Sequence, residues 1–311
     1  MIYDTAKNED AKIQGGCTLC PRNCAADRAH GEAGFCGVTD RVKAARAGLH
    51  FWEEPCISGE AGSGTVFFSG CSLHCVYCQN RDIANGLAGK EITVERLAEI
   101  FIEQQERGAV NINLVTPGHY VPQISKAVRL ARKNGLALPI VYNTGSYERP
   151  EVIRSLAGIV DVWLPDLKYM DGTIAERYSG APDYFRWASS AIAEMVRIAG
   201  EPEFDEAGLM RRGVIVRHLV LPGAAEDSKR IIRYLYETYG DRIYISIMNQ
   251  YTPVMKGADA DKYPELMRTL TEKEYDEVVD YAIDLGVENG FIQEEETAAE
   301  SFIPQFDGEG I

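Results

Sequence analysis

The chain has 311 residues, and its 32 Lys and Arg against 47 Asp and Glu give a net charge of −15 at pH 7. This length suits one large domain or two ordinary ones, and a hydrophobic share of 45% argues against wholesale disorder. The negative net charge argues against a protein that binds nucleic acid through the phosphates, because that binding mode needs a basic surface.

From residue 64 onward the chain alternates between strand-like and helix-like segments. Strands are predicted at 65–68, 110–115, 138–142, 160–164, 214–221 and 243–248. Helices are predicted at 93–106, 122–133, 150–156, 174–178, 185–199, 225–239 and 271–285. Six β/α units of this kind predict an α/β fold with a parallel sheet covered by helices, and functional residues at the carboxyl ends of its strands.

Two segments flank this alternating region. Residues 1–63 have too few apolar residues to fold alone without a staple, so we expect a small N-terminal Cys-rich lobe that binds metal and packs on the α/β domain. Residues 64–290 are expected to form that α/β domain. Residues 291–311, with an acidic run at 294–296, are expected to form a tail packed on it.

The distribution of cysteine is uneven, since the last three quarters of the chain contain none. The eight are Cys17, Cys20, Cys24, Cys36, Cys56, Cys71, Cys75 and Cys78. The N-terminus has no apolar segment typical of a secretory signal, and no run approaches the ~18 apolar residues of a membrane span. We therefore expect a cytoplasmic protein with reduced thiols and no membrane partner, in which clustered cysteines indicate metal or redox chemistry.

Cys71, Cys75 and Cys78 form a C-x3-C-x2-C motif just after the first predicted strand. Three thiolates so close together can hold three irons of a cubane [4Fe–4S] cluster and leave the fourth iron open to another ligand. The alternatives are a loop of structural cysteines or a zinc site completed by His74 or His119. Zinc usually pairs C-x2-C with a second pair downstream, and no later cysteine exists, so the cluster is favoured.

This motif resembles the C-x3-C-x-aromatic-C signature of the radical S-adenosylmethionine (SAM) superfamily, with Tyr77 in the aromatic position. The resemblance implies a partial (β/α)6 barrel of the TIM type, matching the six predicted units. It also implies that the open iron binds the amino and carboxylate groups of SAM. One electron then cleaves SAM to methionine and a 5′-deoxyadenosyl radical, with no acid or base catalyst, and a reductant such as flavodoxin or ferredoxin supplies that electron.

Polar side chains at the next strand ends are candidates for binding SAM. Thr116, Pro117 and His119 follow the second predicted strand, where the superfamily has a Gly-Gly-Glu motif that this chain lacks. Asn143 and Thr144 follow the third strand and are candidates for the ribose or carboxylate of SAM. A plain strand-to-helix turn is the alternative explanation for the Pro and Gly residues at 117–118.

The fourth and fifth strands carry runs similar to those of glycyl-radical activating enzymes. Asp166 and Lys168 close a D-x-x-x-x-D-L-K run and face the same side of an extended strand, as site residues or as a plain ion pair. Arg217 lies in a V-R-x-x-V-x-P-G run that resembles pyruvate formate-lyase activating enzymes. An arginine inside an apolar strand needs an anion, either the SAM carboxylate or a buried Asp or Glu. Asn249, after the sixth strand, is a candidate for the substrate side or adenine.

Cys17, Cys20, Cys24 and Cys36 form a second group, whose spacing suits Zn²⁺ or an auxiliary iron–sulfur cluster equally well. Cys56 could replace one of these ligands or be an ordinary buried thiol, and the second interpretation is favoured. Activating enzymes with ferredoxin-like inserts carry their extra cysteines after the SAM motif, whereas this chain has them before it. The chain therefore resembles an uncharacterised branch of the pyruvate formate-lyase activating enzyme family.

Three functional hypotheses follow. The first is a radical SAM enzyme that abstracts hydrogen from a glycine of a partner protein. The second keeps this chemistry but modifies a small molecule, a peptide or another protein; the acidic charge argues against RNA. The third is a non-catalytic iron–sulfur or zinc-binding protein, which would not need about 220 residues of β/α scaffold.

Overall fold

The computed structural model describes residues 16–293 and 306–311. The strands are β1 (Val42–His50), β2 (Ser63–Phe68), β3 (Lys90–Ile92), β4 (Ile112–Val115), β5 (Ile140–Thr144), β6 (Val162–Pro165), β7 (Glu203–Phe204), β8 (Met210–Leu219), β9 (Tyr244–Met248) and β10 (Gly290–Ile292). The helices are α1 (Pro55–Ser58), α2 (Arg81–Ala84), α3 (Val94–Glu106), α4 (Val121–Lys133), α5 (Pro150–Arg154), α6 (Gly172–Ser179), α7 (Tyr184–Ala199), α8 (Ala225–Tyr239), α9 (Ala258–Lys262) and α10 (Glu272–Leu285).

The strands form one sheet in the order β10-β9-β8-β6-β5-β4-β2-β1-β3, with β7 paired to β8. Neighbours from β2 to β10 in this order run parallel, while β1 is antiparallel to β2 and β3. Within the described residues the two ends of this order do not pair with each other. The six predicted strands are the parallel strands β2, β4, β5, β6, β8 and β9, so the predicted partial barrel is confirmed.

The helices cover the sheet in neighbouring pairs, with α3 beside α4, α5 beside α7 and α8 beside α10. Every residue of β2 and β5 is buried, as expected for parallel strands with both faces covered. Trp163 of β6 and Tyr142 of β5 are among the largest fully buried side chains. No helix in the described ranges is both long and apolar enough to cross a membrane.

Helix starts follow side-chain caps that the sequence carries. Thr93, the N-cap of α3, accepts a hydrogen bond from the Arg96 amide through its hydroxyl. Thr271 and Glu274 form a reciprocal capping box at the start of α10. Caps of this kind satisfy amides that have no partner in the first helical turn. These two helices therefore begin within one residue of the predicted positions.

β1 is a strand that the sequence did not predict. Its sequence is rich in Ala, Lys and Arg, which have low strand propensity, yet Ala44, Ala45 and Ala47 are fully buried beside β2. Pairing with neighbours therefore overrides local preference. Because β1 lies within residues 1–63, the segment predicted as a separate lobe contributes a strand to the barrel sheet, and the boundary at residue 63 stays a prediction.

Residues 306–311 lie against β1. The Ala47 amide donates to the Glu309 carbonyl at 2.9 Å, and the Gly308 amide donates to the Ala45 carbonyl at 3.0 Å. Phe306 packs against Phe67 with 5.5 Å between ring centroids. The acidic run at 294–296 lies outside the described residues, and the tail boundary at 291 stays a prediction because β10 spans it.

Candidate functional site: a cysteine-lined cavity at the strand ends

A cavity of about 270 Å³ opens at the carboxyl ends of the parallel strands. Side chains at the ends of β2, β4, β5, β6, β8 and β9, or just after them, line this cavity. Residues at the end of β1 and just after it complete the lining. The lining residues include Cys71, Cys75, Cys78, Thr116, Asn143, Asp166, Lys168, Arg217, Gln250 and Tyr251. Parallel strands place their carboxyl ends at one edge, so the sheet itself assembles this site.

The loop at residues 70–80, here called the cluster loop, presents three thiols to the cavity. The Leu73 amide donates to Cys71 Sγ at 3.4 Å, and the Ser179 hydroxyl donates to Cys75 Sγ at 3.0 Å. Burial raises the pKa of the Cys78 thiol to about 12. Donors aimed at sulfur stabilise thiolates, and thiolates are the ligands of iron–sulfur clusters, so this donor set fits such a cluster.

The two histidines that could have completed a zinc site are engaged elsewhere. His74 places one ring nitrogen 3.0 Å from Asn85 Oδ1 and the other 2.9 Å from the Phe35 carbonyl. His119 is buried with Nε2 2.7 Å from the Ser69 carbonyl, and burial lowers its pKa to about 3. In the described parts of the chain, no three His, Cys, Asp or Glu side chains converge on one metal ion.

Tyr77, in the aromatic position of the motif, is buried at the cavity wall. Its hydroxyl accepts a hydrogen bond of 2.6 Å from Tyr169, whose hydroxyl also lies 2.8 Å from Ser179 Oγ. Ser179 in turn donates to Cys75 Sγ. The ring of Tyr77 contacts Tyr251 edge-on at 6.2 Å. Tyr77 therefore connects the cluster loop to the hydroxyl network that touches a candidate ligand sulfur.

The same cavity has a polar wall made of Glu53, Asn143, Asp166, Lys168 and Arg217. Arg217 Nε donates to Asp166 Oδ1 at 2.9 Å, Nη1 to Glu53 Oε2 at 3.0 Å, and Nη2 to Asn143 Oδ1 at 2.6 Å. Lys168 Nζ donates to Asp166 Oδ2 at 2.6 Å. The arginine thus has protein carboxylates as its anions, which is the second of the two predicted explanations.

This wall is balanced in charge and largely withdrawn from water. The side chains of Lys168 and Asp166 are 17% and 15% exposed, so theirs is not the plain surface ion pair that the sequence allowed. Burial opposes ionisation of Asp166, but the charges of Arg217 and Lys168 outweigh it and lower the pKa of that carboxyl. Two cations therefore face two carboxylates inside the cavity.

Four of the residues predicted to bind SAM do not line this cavity. Pro117 precedes the turn Gly118–Tyr120, and His119 supports the end of β2 through the Ser69 carbonyl. The Thr144 hydroxyl donates to buried Glu148, and the Asn249 amide donates to Gln293 Oε1 at 3.0 Å. Tyr77, Thr116, Asn143, Asp166, Lys168 and Arg217 do line it. Binding roles for all ten residues stay predictions.

Glu53 is a site residue that sequence reasoning missed, as are its neighbours His50 and Trp52. Glu53 also accepts a hydrogen bond of 2.9 Å from Asn113 Nδ2. Nothing in the local sequence marks it, because its position depends on the pairing of β1 with β2. The one available signal was the buried charge of Arg217, which required an acidic partner from somewhere in the chain.

The N-terminal cysteine group, Cys17, Cys20, Cys24 and Cys36, lies beside the cluster loop. Cys24 is exposed whereas Cys36 is buried, and a Cβ added at Gly34 would lie 3.4 Å from the sulfur of each. Burial raises the pKa of Cys20 to about 11. The Cys71 amide donates to the Cys36 carbonyl at 3.2 Å. The metal at this group stays a prediction.

Residues 65–235 match the model of the radical SAM superfamily. An uncharacterised protein of Methanocaldococcus jannaschii is 29% identical over 292 residues, 91% of this chain and 77% of that protein. The pyruvate formate-lyase 1-activating enzyme of Escherichia coli is 28% identical over 167 residues, covering 52% of this chain and 62% of that enzyme. Among solved structures, the FeFe-hydrogenase maturase HydG of Carboxydothermus hydrogenoformans has a TM-score of 0.46 and 14% identity, over 77% of this chain and 59% of that chain.

Proposed function

Because this chain belongs to the radical SAM superfamily, we propose that it abstracts a hydrogen atom from a glycine residue of a partner protein by SAM-dependent radical chemistry. Membership of the superfamily implies a [4Fe–4S] cluster and SAM. When bound, they supply a 5′-deoxyadenosyl radical by one-electron cleavage of SAM, with an electron from a reductant such as flavodoxin or ferredoxin. The observation that carries the proposal is one cavity shared by three thiols and a charge-balanced polar wall.

Cys71, Cys75 and Cys78 are the proposed cluster ligands. The amide of Leu73 and the hydroxyl of Ser179 would hold two of these thiolates in place, because each already donates to a sulfur. Hydrogen bonds to ligand sulfurs also raise the reduction potential of a cluster. These contacts orient the ligands and tune the site from outside the ligand set.

The polar wall supports binding of SAM, which carries a negative carboxylate and a positive sulfonium. Lys168 and Arg217 offer cations, while Glu53 and Asp166 offer carboxylates. A wall of both signs can pair with both charges of the ligand, so no charge is left unpaired in the cavity. Thr116 and Asn143 add neutral polar groups on the same wall.

A polypeptide substrate is supported by the mouth of the cavity and by similarity. Trp52 lines the cavity and is 60% exposed, and the adjacent Phe51 is also exposed. Aromatic side chains at an opening are typical of surfaces that bind proteins. The similarity to pyruvate formate-lyase activating enzymes favours glycine as the target. Modification of a small molecule, a peptide or another protein is the second candidate, since the relative that matches 91% of this chain is an uncharacterised protein.

Release of 5′-deoxyadenosine tests the chemistry. Anaerobically reconstituted protein given dithionite and SAM should release it, and the Cys75→Ala variant should not. Cys56→Ala is the matched control, because Cys56 is buried away from the cavity beside Ile57 and Val141. Wild-type protein that binds iron but releases no 5′-deoxyadenosine would falsify the proposal.

The glycine target needs its own measurement. A glycyl-radical protein from the same organism, prepared with glycine deuterated at the α-carbon, should transfer deuterium to 5′-deoxyadenosine. The product is analysed by mass spectrometry. If 5′-deoxyadenosine forms without deuterium, the glycine target is wrong and the second candidate replaces it.

A further inference from the structure

Two hydrogen bonds join the N-terminal cysteine group to the cluster loop, one between backbone groups and one from a side chain. The Cys71 amide donates to the Cys36 carbonyl at 3.2 Å, which links a residue of each group through one hydrogen bond. Arg22, between Cys20 and Cys24, donates from Nε to the Ser72 carbonyl at 2.8 Å. A small cavity of about 20 Å³ is lined by both Cys20 and Cys71. The two sets of thiols are therefore immediate neighbours.

The N-terminal group has four thiols, enough for a structural zinc or for a [4Fe–4S] cluster. Zinc has no redox chemistry, whereas a cubane accepts and releases single electrons. The position of the group beside a site that needs single electrons therefore favours the cluster. Arg28 is buried with Nη1 3.8 Å from Cys17 Sγ, which places a positive charge beside a group that becomes anionic when it binds metal.

The two ends of the N-terminal group differ in their exposure to solvent. Cys24 is exposed at one end, whereas Cys36 is only 6% exposed and its carbonyl faces the cluster loop. Arg22 continues the contact inward, since its Nη2 donates at 2.7 Å to the carbonyl of Ser179. The Ser179 hydroxyl in turn donates to Cys75 Sγ. One edge of the group thus meets solvent and the other meets the radical site.

We propose that Cys17, Cys20, Cys24 and Cys36 hold a second [4Fe–4S] cluster that passes single electrons from an external donor to the cluster on Cys71, Cys75 and Cys78. The donor is a reduced protein of the flavodoxin or ferredoxin class, which loses one electron to the N-terminal cluster at the Cys24 edge. That cluster returns to its oxidised state when the electron moves on, and no bond or proton changes place. The inference rests on the proposed function, because it needs the second cluster as acceptor.

Metal analysis tests the identity of the site. A variant with Cys71, Cys75 and Cys78 all changed to Ser, reconstituted with iron and sulfide, should keep about four Fe and four sulfide per chain. After reduction it should show the electron paramagnetic resonance (EPR) signal of a [4Fe–4S] cluster. Adding Cys20→Ser should remove both, while adding Cys56→Ala should not. Zinc without sulfide overturns the proposal.

Freeze-quench EPR tests the relay. In Cys20→Ala/Cys24→Ala protein, reduced flavodoxin should no longer reduce the cluster on the cluster loop, whereas dithionite still should. Arg22→Gln retains every thiol and should keep its iron content while slowing the transfer from flavodoxin. Unchanged transfer in both variants overturns the relay. Wild-type protein that releases no 5′-deoxyadenosine with dithionite contradicts the proposed function instead, so the two failures are distinguishable.

Discussion

Arg217 determines the stability of the polar wall, because it contacts three of the other four members. Arg217→Gln would leave the buried carboxylates of Asp166 and Glu53 without their shared cation. We expect the free energy of unfolding to fall by about 3–5 kcal/mol, the usual effect of breaking a buried pair. Anaerobic urea unfolding measures it.

Arg212→Gln is the matched control for this change. Arg212 pairs with Glu203 at 3.4 Å, and both side chains are about half exposed or more. Removing such a surface pair changes stability by about 1 kcal/mol or less. Equal losses in the two variants would contradict the importance given to the wall.

The stability that Glu148 contributes should fall as pH rises. Asp166 should have the opposite effect, because its pKa is lowered. Glu148 is buried among hydroxyl donors from Tyr142 and Thr144, and burial raises its pKa. A raised pKa contributes stability that is fully present below the unfolded value, about 4.3, and is lost as pH rises through the folded value. Glu148→Gln should therefore gain stability relative to wild type between pH 4 and pH 8 in urea unfolding. A difference that stays constant over this range would mean that the Glu148 pKa is not raised.

At the scale of single residues, the sequence identified the residues whose type and spacing already indicate their chemistry. The three thiols of the cluster loop and the buried Arg217 were found because spacing and buried charge are visible in one dimension. Glu53 was not, because its role comes from a strand that brings distant chain segments together. His119 does not line the cavity, and a histidine beside a strand end gives no sign in the sequence of which way it points; its binding role stays a prediction.

Among the elements, the turn between β2 and the cluster loop depends on one glycine. Gly70 has φ +98°, and a Cβ there would lie 2.8 Å from Val38 Cγ2 and 2.9 Å from the Cys36 carbonyl oxygen. Gly70→Ala should shift the loop and reduce the iron and sulfide bound after reconstitution. Gly108→Ala is its control, because Gly108 has φ +88° but open space around it. Equal iron content in the Gly70→Ala and Gly108→Ala variants would contradict the idea that a Cβ collision at Gly70 displaces the cluster loop.

Element prediction succeeded where apolar periodicity and caps agreed. α3, α4, α8 and α10 were found nearly residue for residue because each combines an apolar face with a clear start or end. β5 was predicted two residues too early, and β4 was predicted to begin two residues before its start although its end was correct, since a run of four or five residues gives a weak boundary. β1 was missed because its stability comes from pairing and not from its own residues.

For the whole molecule, the position of β1 predicts how the chain tolerates truncation. A chain that begins at residue 64 would lose β1 and expose an edge of β2, so we expect it to aggregate or remain unfolded. Circular dichroism and size-exclusion chromatography measure this. Full-length Cys17→Ser/Cys20→Ser protein should retain the secondary structure of the sheet. A folded, monomeric chain from residue 64 would show that β1 is not needed for the fold of the remaining sheet.

The sequence predicted the overall architecture well because the β/α alternation repeats over most of the chain. The superfamily match over residues 65–235 confirms the resemblance drawn from three cysteines and an aromatic residue. Composition alone could not place residues 42–63 and 306–311, whose positions depend on contacts between distant segments.

Those contacts have a consequence for solubility. β3 pairs with β1 only along Val42–Ala44, and beyond that point residues 308–309 take up backbone groups of Ala45 and Ala47. An uncovered stretch of strand is a template for another chain, and covering it is a way in which natural sheets avoid self-association. Residues 308–309 therefore cover this part of β1, and a purification tag attached after Ile311 would be joined directly to that cover.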